Sequence, residues 1–282
     1  MRPLSVPNLS TRTVYRSCIS MALPRHKTRL EALEQAVVDA ADAFEAAAEA
    51  SKLHELKDLG KKPTDAADRT QLTTTYTSRM VPESSAGNEF YSLLKRVPHK
   101  ICPLCGLRDV ETLDHQLPKM KYPLLSVVPT NLVPACGKCN RLKGEHVPES
   151  AAAQTLHPYY DNVTEQQWLF ARLQESDSRP PEITYSIRPP EGADSVLAAR
   201  IVHHFQMFQL AELYGANGGR EMSNIRSFLR ILDAAGRATY LAKMEHSVAV
   251  DKDAGGLNHW RKALYQALAG NSWYINGGFA QF

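Results

Sequence analysis

The stretch CPLCGLRDVETLDHQLPKMKYPLLSVVPTNLVPACGKCNRLKGE, residues 102–145, decides how this chain is organised. It contains two Cys-x-x-Cys pairs, Cys102 with Cys105 and Cys136 with Cys139, separated by 30 residues. A gap of two residues lets both thiolates of a pair face one point, and two pairs can surround a zinc ion tetrahedrally. Because protein would fill all four positions, we expect a structural zinc that holds together a segment too short to bury its own core.

The composition of the whole chain is ordinary for a globular protein. Of its 282 residues, 43% are hydrophobic and 22% are charged, and the net charge of +3 is too small to indicate nucleic-acid binding by itself. No stretch approaches the roughly 18 apolar residues of a membrane span, and residues 1–21 lack the apolar segment of a secretion signal. We therefore expect a cytoplasmic protein without membrane association. In a reducing compartment the paired cysteines favour metal over disulfides or redox-active thiols, and lone Cys18 fits a small core residue.

Residues 1–94 are predicted to form an N-terminal helical region. Apolar residues at spacings of three and four predict one long helix over 27–59, with Thr28 as its N-cap and Glu31 as the capping-box partner. Its alanine-rich part fits packing within the domain, with a coiled coil as the alternative. Around this helix we expect irregular chain over 1–24, a linker over 63–71 and two helical pieces within 72–94.

Residues 161–282 are predicted to be mainly helical with short strands. The alternation of Ile183, Tyr185 and Ile187 predicts a strand over 182–188, and a second strand is expected over 168–175. The helices expected after them are one through Leu197 that ends at Gly215, and others over 222–232, 237–248 and 257–269.

The segment between and just after the cysteine pairs contains an Asp-His pair, Asp114–His115, then Asn131, then Asn140. This order resembles the HNH endonuclease family, which has a ββα-metal motif, and the match covers residues 102–145. The resemblance implies that Asp114 and His115 end the first strand, that Asn131 lies beside the second, and that Asn140 begins the helix. It implies an α+β, mainly helical fold, in which a small HNH core over 95–160 is held by zinc and flanked by helical regions.

The same residues suit phosphodiester hydrolysis. The carboxylate of Asp114 and the amide oxygen of Asn140 are ligands that Mg²⁺ or Mn²⁺ prefers. His115, with an ordinary pKa of about 6.5, can take a proton from water. The resemblance implies that Asn131 orients the histidine or its loop rather than binding metal. Since adjacent strand residues point to opposite faces, Asp114 and His115 must lie where the strand twists or ends.

The surroundings of this site are basic. Residues 95–145 contain nine Lys and Arg against four Asp and Glu, a net charge of +5. We expect phosphate contacts from some of these side chains, with a solvated surface as the alternative. The residues that we expect to contact phosphates are Lys119, Lys121, Arg141 and Lys143. His157, which follows closely, is either a structural residue or an additional partner of the site.

The function implied by the resemblance is metal-dependent cleavage of DNA, with RNA not excluded. The longer pattern over residues 113–140, Leu-Asp-His…Leu-Pro-Lys…Tyr-Pro…Asn-Leu-Val-Pro…Cys-Asn, resembles stand-alone bacterial HNH proteins. Such proteins often belong to anti-phage defence loci and act with a regulatory partner such as an ATPase. Two alternatives stay open. One is a non-catalytic DNA-binding module held together by zinc, and the other is a nuclease of restriction, packaging or a mobile element.

Overall fold

The computed structural model describes residues 1–176, 180–190, 192–251 and 256–281. The chain is mainly helical, with 57% helix and 8% strand in two small antiparallel sheets, which confirms the predicted α+β class. It divides into two compact units, an N-terminal unit of Pro3–Asp161 and a C-terminal unit of Asn162–Phe282 with Met1–Arg2. Among the described residues, no helix combines the length and the apolarity that crossing a membrane requires.

The N-terminal unit begins with five α-helices. They are α1 Thr11–Ile19, α2 Pro24–Ala32, α3 Glu34–Glu49, α4 Ala66–Arg79 and α5 Asn88–Leu94, with a 3-10 segment at Leu53–Lys61 between α3 and α4.

Helix α1 corrects the prediction of irregular chain over 1–24. The hydroxyl oxygen of Ser10 accepts a hydrogen bond from the backbone N–H of Thr13 and caps the helix. One face of α1 buries Val14, Tyr15 and Cys18, so the burial of an apolar face accompanies the cap. Cys18 is the small core residue that we expected.

The single helix predicted over 27–59 is wrong. The chain breaks at Leu33, which ends α2 and precedes α3, and α3 ends at Glu49. Thr28 is not an N-cap, because α2 begins at Pro24, whose missing N–H costs nothing in a first turn. The linker predicted over 63–71 is also wrong, because the carboxylate of Asp65 accepts from the N–H groups of Ala67 and Asp68 and starts α4.

A hairpin and a short helix follow these N-terminal helices. Strand β1, Thr112–His115, pairs antiparallel with β2, Leu132–Ala135, so that Asp114 lies opposite Val133 and His115 opposite Leu132. Helix α6, Gly137–Lys143, comes directly after β2. The connection from β1 to β2 contains two 3-10 turns, at Pro123–Leu125 and Pro129–Asn131.

The hairpin and the N-terminal helices share one hydrophobic core. Tyr15, Phe44 and Leu72 from the helices are buried in the same cluster as Leu117 and Leu125 from the connection. The region outside residues 102–145 therefore supports the hairpin directly.

In its described residues, the C-terminal unit contains the second sheet and five α-helices. Its elements are β3 Leu169–Gln174, β4 Glu182–Ile187, α7 Ser195–Met207, α8 Leu210–Arg230, α9 Ala234–Val250, α10 Trp260–Ala269 and α11 Ser272–Ile275. The two predicted strands are confirmed and pair antiparallel. The predicted helix end at Gly215 is wrong, because α7 ends at Met207, Gln209 takes a left-handed φ of 52°, and Gly215 lies inside α8.

Two adjacent glycines of α8 should respond oppositely to alanine. A Cβ on Gly218 would lie 2.6 Å from Ile183 Cγ2, whereas a Cβ on Gly219 would meet nothing within 4 Å. We expect Gly218→Ala to lower the free energy of unfolding by about 1–3 kcal/mol through overpacking. Gly219→Ala should raise it by about 0.5–1 kcal/mol through helix propensity. Urea unfolding of both variants checks this, and equal effects would contradict the packing of α8 on β4.

Candidate functional site

Four buried cysteine side chains converge on one point of the N-terminal unit. The sulfur atoms of Cys102, Cys105, Cys136 and Cys139 lie within 4.8 Å of one another, and none forms a disulfide. A tetrahedral zinc with Zn–S bonds of about 2.3 Å places its sulfurs roughly 3.8 Å apart. The cluster is near this arrangement, so these cysteines can hold a structural zinc.

Local backbone structure positions each pair. The N–H of Cys102 donates to Arg108 O at 2.8 Å, and the N–H of Gly106 donates to Cys102 O at 2.8 Å. Gly106 has a φ of +65°, which this tight turn needs and glycine accepts without strain. The second pair begins α6, where Cys136 Sγ accepts from the N–H of Cys139 at 3.4 Å. A helix N-terminus favours a thiolate at this position.

Removal of a cluster sulfur should remove the metal. We expect the purified chain to contain about one equivalent of zinc, and Cys136→Ala to contain almost none, with a large loss of thermal stability. Metal analysis by mass spectrometry and thermal melting measure both effects. The matched control is Cys18→Ala, which deletes a buried thiol of the apolar core and should retain the zinc. Full zinc content in Cys136→Ala would reject the cluster as the binding site.

His115 is the last residue of β1 and is 8% exposed. Its Nε2 lies 2.9 Å from the backbone carbonyl oxygen of Ser126. Because a carbonyl only accepts, Nε2 carries the proton and donates it, which leaves Nδ1 as the basic nitrogen. No described residue forms a hydrogen bond with Nδ1. Burial lowers the pKa of His115 to about 3, so the ring is neutral near pH 7.

A tyrosine of α4 packs against this imidazole. The Tyr76 and His115 rings meet edge to face with centroids 4.4 Å apart, and the Tyr76 hydroxyl donates to Leu113 O at 2.9 Å. Tyr76 therefore contacts both the ring and the strand that carries it. Sequence reasoning missed this residue, because nothing in the local pattern of α4 connects it to a histidine 39 positions later.

Asp114 and Lys143 form a buried ion pair. Lys143 Nζ lies 3.3 Å from Asp114 Oδ1 and donates to His115 O at 2.7 Å. Asp114 is 4% exposed, and burial raises the pKa of its carboxyl to about 6, against the opposite effect of Lys143. Asp114 Oδ2 is buried and has no hydrogen-bond partner among the described residues.

The burial of Lys143 differs from the sequence expectation of an exposed phosphate contact. Its side chain is 2% exposed and its ammonium is occupied by Asp114 and the His115 carbonyl. Phosphate could reach it only if this ion pair opened. The other expected contacts remain accessible, since Lys121 and Arg141 are exposed and Lys119 is half-buried.

Asn131 holds the connection between the strands. Its Oδ1 accepts from Leu117 N at 2.8 Å, and its Nδ2 donates to Leu117 O at 3.0 Å and to Leu125 O at 3.1 Å. Leu125 precedes Ser126, whose carbonyl accepts from His115. The side chain is fully buried and all its bonds go to backbone, so Asn131 orients the loop around His115.

Asn140 lies in the first turn of α6 and is partly exposed. It is three residues before Lys143, and this spacing places both side chains on one face of the helix. Since Lys143 contacts Asp114, that face is directed toward the end of β1. No described residue forms a hydrogen bond with the Asn140 amide group.

His157 occupies an aromatic environment. It is 1% exposed, and its ring packs against Phe44, Tyr159 and Tyr160 with centroids 4.9–6.1 Å apart. Its Nδ1 accepts from the N–H of Tyr159 at 3.3 Å. These contacts favour the structural role over that of an additional ligand.

The ion pair between Asp114 and Lys143 should appear as a coupling energy in a double-mutant cycle. Lys143→Met leaves Asp114 buried without a counter-charge, so we expect a loss of about 3–5 kcal/mol in the free energy of unfolding. Asp114→Asn combined with Lys143→Met should lose less than the two single changes added together, by about 1–3 kcal/mol. Urea unfolding without added Mg²⁺ or Mn²⁺ measures this cycle. Lys138→Met, on the exposed side of α6, is the control and should change stability by less than about 0.5 kcal/mol. Additive losses would show that the two groups do not interact.

This chain is distantly similar to a protein of a bacterial virus. Protein ea31 of Escherichia phage lambda is 26% identical over 223 residues, which cover 74% of this chain and 75% of the phage protein. Its name describes no activity. No protein-family model and no solved structure matches the chain.

Proposed function

We propose that this chain is a metal-dependent endonuclease of the HNH type that hydrolyses phosphodiester bonds of DNA, with His115 as the general base. The observation that carries this proposal is the environment of His115. A neutral imidazole at a strand end donates from Nε2 to a backbone carbonyl and keeps Nδ1 without a partner among the described residues. A neutral imidazole with an unprotonated Nδ1 is the form of histidine that can take a proton from water.

The residues beside His115 fit a divalent cation. Asp114 Oδ2 is a buried carboxylate oxygen without a hydrogen-bond partner among the described residues, which is costly unless a ligand binds it. The amide oxygen of Asn140, on the helix face that meets β1, would be the second ligand. Oxygen donors of this kind suit Mg²⁺ or Mn²⁺. When bound, such an ion neutralises charge on the phosphate and assists the leaving oxygen.

The chain's own groups perform the proton transfer. His115 Nδ1 accepts a proton from the water whose oxygen forms the new bond to phosphorus, one ester P–O bond breaks, and the leaving alkoxide takes a proton from solvent. The bond from Nε2 to Ser126 O fixes the ring orientation and stabilises the imidazolium that forms. Asn131 maintains this geometry by holding the loop that carries Ser126. We also propose that the ion in the four-cysteine cluster is zinc and that its role is structural.

The biological setting is part of the proposal. A role in bacterial antiviral defence with a regulatory partner such as an ATPase stays a prediction. The similarity to a phage protein is a specific observation in favour of the alternative, a nuclease of a phage or other mobile element. The genes beside the coding sequence distinguish these settings.

Plasmid nicking tests the enzyme. We expect the wild-type chain with Mg²⁺ to relax supercoiled DNA, and His115→Ala to be slower by roughly 10²–10⁴-fold, the usual contribution of a general base. His246→Ala, an exposed histidine of α9, is the control and should retain full activity. A parallel reaction with RNA tests substrate class.

Three outcomes separate the alternatives. Equal cleavage by wild type and His115→Ala would reject the assigned base. DNA binding without any cleavage in Mg²⁺ or Mn²⁺ would favour the non-catalytic zinc-held module. Faster cleavage of RNA than of DNA would replace the proposed substrate.

A further inference from the structure

Residues 57–63, hereafter the lysine turn, form a cationic segment outside the HNH-like stretch. Lys57, Lys61 and Lys62 are exposed. Only Lys61 has an ion-pair partner within the described structure, Asp58 at 2.6 Å. Two lysine side chains of this short turn are therefore available to an anionic ligand.

Arg69 of α4 connects the lysine turn to the loop that follows β1. Its Nη1 donates to the carbonyls of Gly60, Lys62 and Pro63 at 3.1, 3.4 and 3.3 Å. Its Nη2 donates to Lys121 O at 3.4 Å. One guanidinium therefore holds two cationic segments against each other through their backbones.

Close packing between the two segments supports the same arrangement. A Cβ on Gly60 would lie 3.2 Å from Tyr122 Cε1 and 3.3 Å from Lys121 O. A glycine at this position lets the lysine turn approach the loop more closely than a larger residue would allow. Lys121 is exposed and has no ion-pair partner among the described residues.

Each acidic residue in or beside the lysine turn forms an ion pair. Asp65 and Asp68 both form ion pairs with Arg29. Asp58 pairs with Lys61 and Glu55 pairs with Lys52, so Lys57 and Lys62 are the lysines of the turn without an ion-pair partner among the described residues.

Helix α4 connects this cationic surface to the proposed site. Arg69, which holds the lysine turn and Lys121, lies seven residues, about 10 Å of helix, before Tyr76. Tyr76 packs against the His115 ring with centroids 4.4 Å apart.

We propose that Lys57, Lys62 and Lys121 form a phosphate-binding surface, held in place by Arg69, that binds the backbone of duplex DNA beside the nuclease site. This inference rests on the proposed function and extends its DNA contacts beyond the HNH-like stretch. Contacts of this kind are independent of base sequence and weaken steeply with salt. Arg69 acts as a positioning residue, because its donors are used on backbone carbonyls.

Fluorescence anisotropy of the full chain with a labelled DNA duplex tests the surface, in buffer without divalent cations so that no cleavage occurs. We expect Lys57→Ala with Lys62→Ala to raise Kd roughly tenfold at 100 mM salt. The slope of log K against log salt should become shallower by about 0.9 per lost phosphate contact, about 1.8 for both. Lys243→Ala with Arg230→Ala, two exposed cations of the C-terminal unit, is the charge-matched control and should leave the slope unchanged.

Arg69→Lys tests positioning separately from charge. It keeps the net charge but replaces the planar fork, so we expect Kd to rise by about threefold or more. The thermal melting temperature of each variant confirms folding.

The failures are distinguishable. If the wild-type chain nicks DNA but the double lysine variant has the wild-type slope, or the control pair weakens binding equally, the surface is rejected and the nuclease stands. If Arg69→Lys binds DNA like wild type, the positioning role is rejected. If the wild-type chain neither binds nor cuts DNA, both proposals fail together.

Discussion

The convergence of four sulfur atoms is the constraint on which the rest of the N-terminal unit depends. Cys139 and Lys143 are four residues apart on α6 and share a face, so the cluster that fixes the start of the helix also delivers Lys143 to the end of β1. Burying an ammonium and a carboxylate costs several kcal/mol per ion before pairing. A structural zinc contributes about 10–16 kcal/mol in small domains. A bound metal could therefore stabilise a helix position that the ion pair alone would not.

The parts of the molecule that follow from local spacing were predictable. The cysteine cluster, the position of His115 at a strand end and the loop-holding role of Asn131 all follow from residue types at short separations, or from the family resemblance that those residues carry. The burial of Lys143 was not predictable, because a lysine in the last turn of a short helix is ordinarily exposed. The burial of Lys143 depends on Asp114, which lies 29 positions earlier in the chain.

The errors in the N-terminal region have a common physical cause. Prolines at positions 3, 7 and 24 suggested irregular chain, yet Ser10 caps a helix between them, and Pro24 itself starts one. No glycine or proline marks the break at Leu33. The backbone of Leu33 keeps a right-handed helical conformation, and only the helical hydrogen bonding changes there. Tertiary packing selects such a break, and a periodic apolar stripe continues across it without any signal.

Residues 63–71, which were expected to be a linker, include the start of α4, and this helix contacts the candidate site. Tyr76 and Arg69 are seven residues apart on α4, two helical turns, and so lie near the same face. Tyr76 contacts the His115 ring, and Arg69 holds the lysine turn against Lys121. One helix therefore supports the His115 ring and an exposed cationic segment at once. A change in the position of α4 would move both, so residues 102–145 and the N-terminal helices form one structural unit.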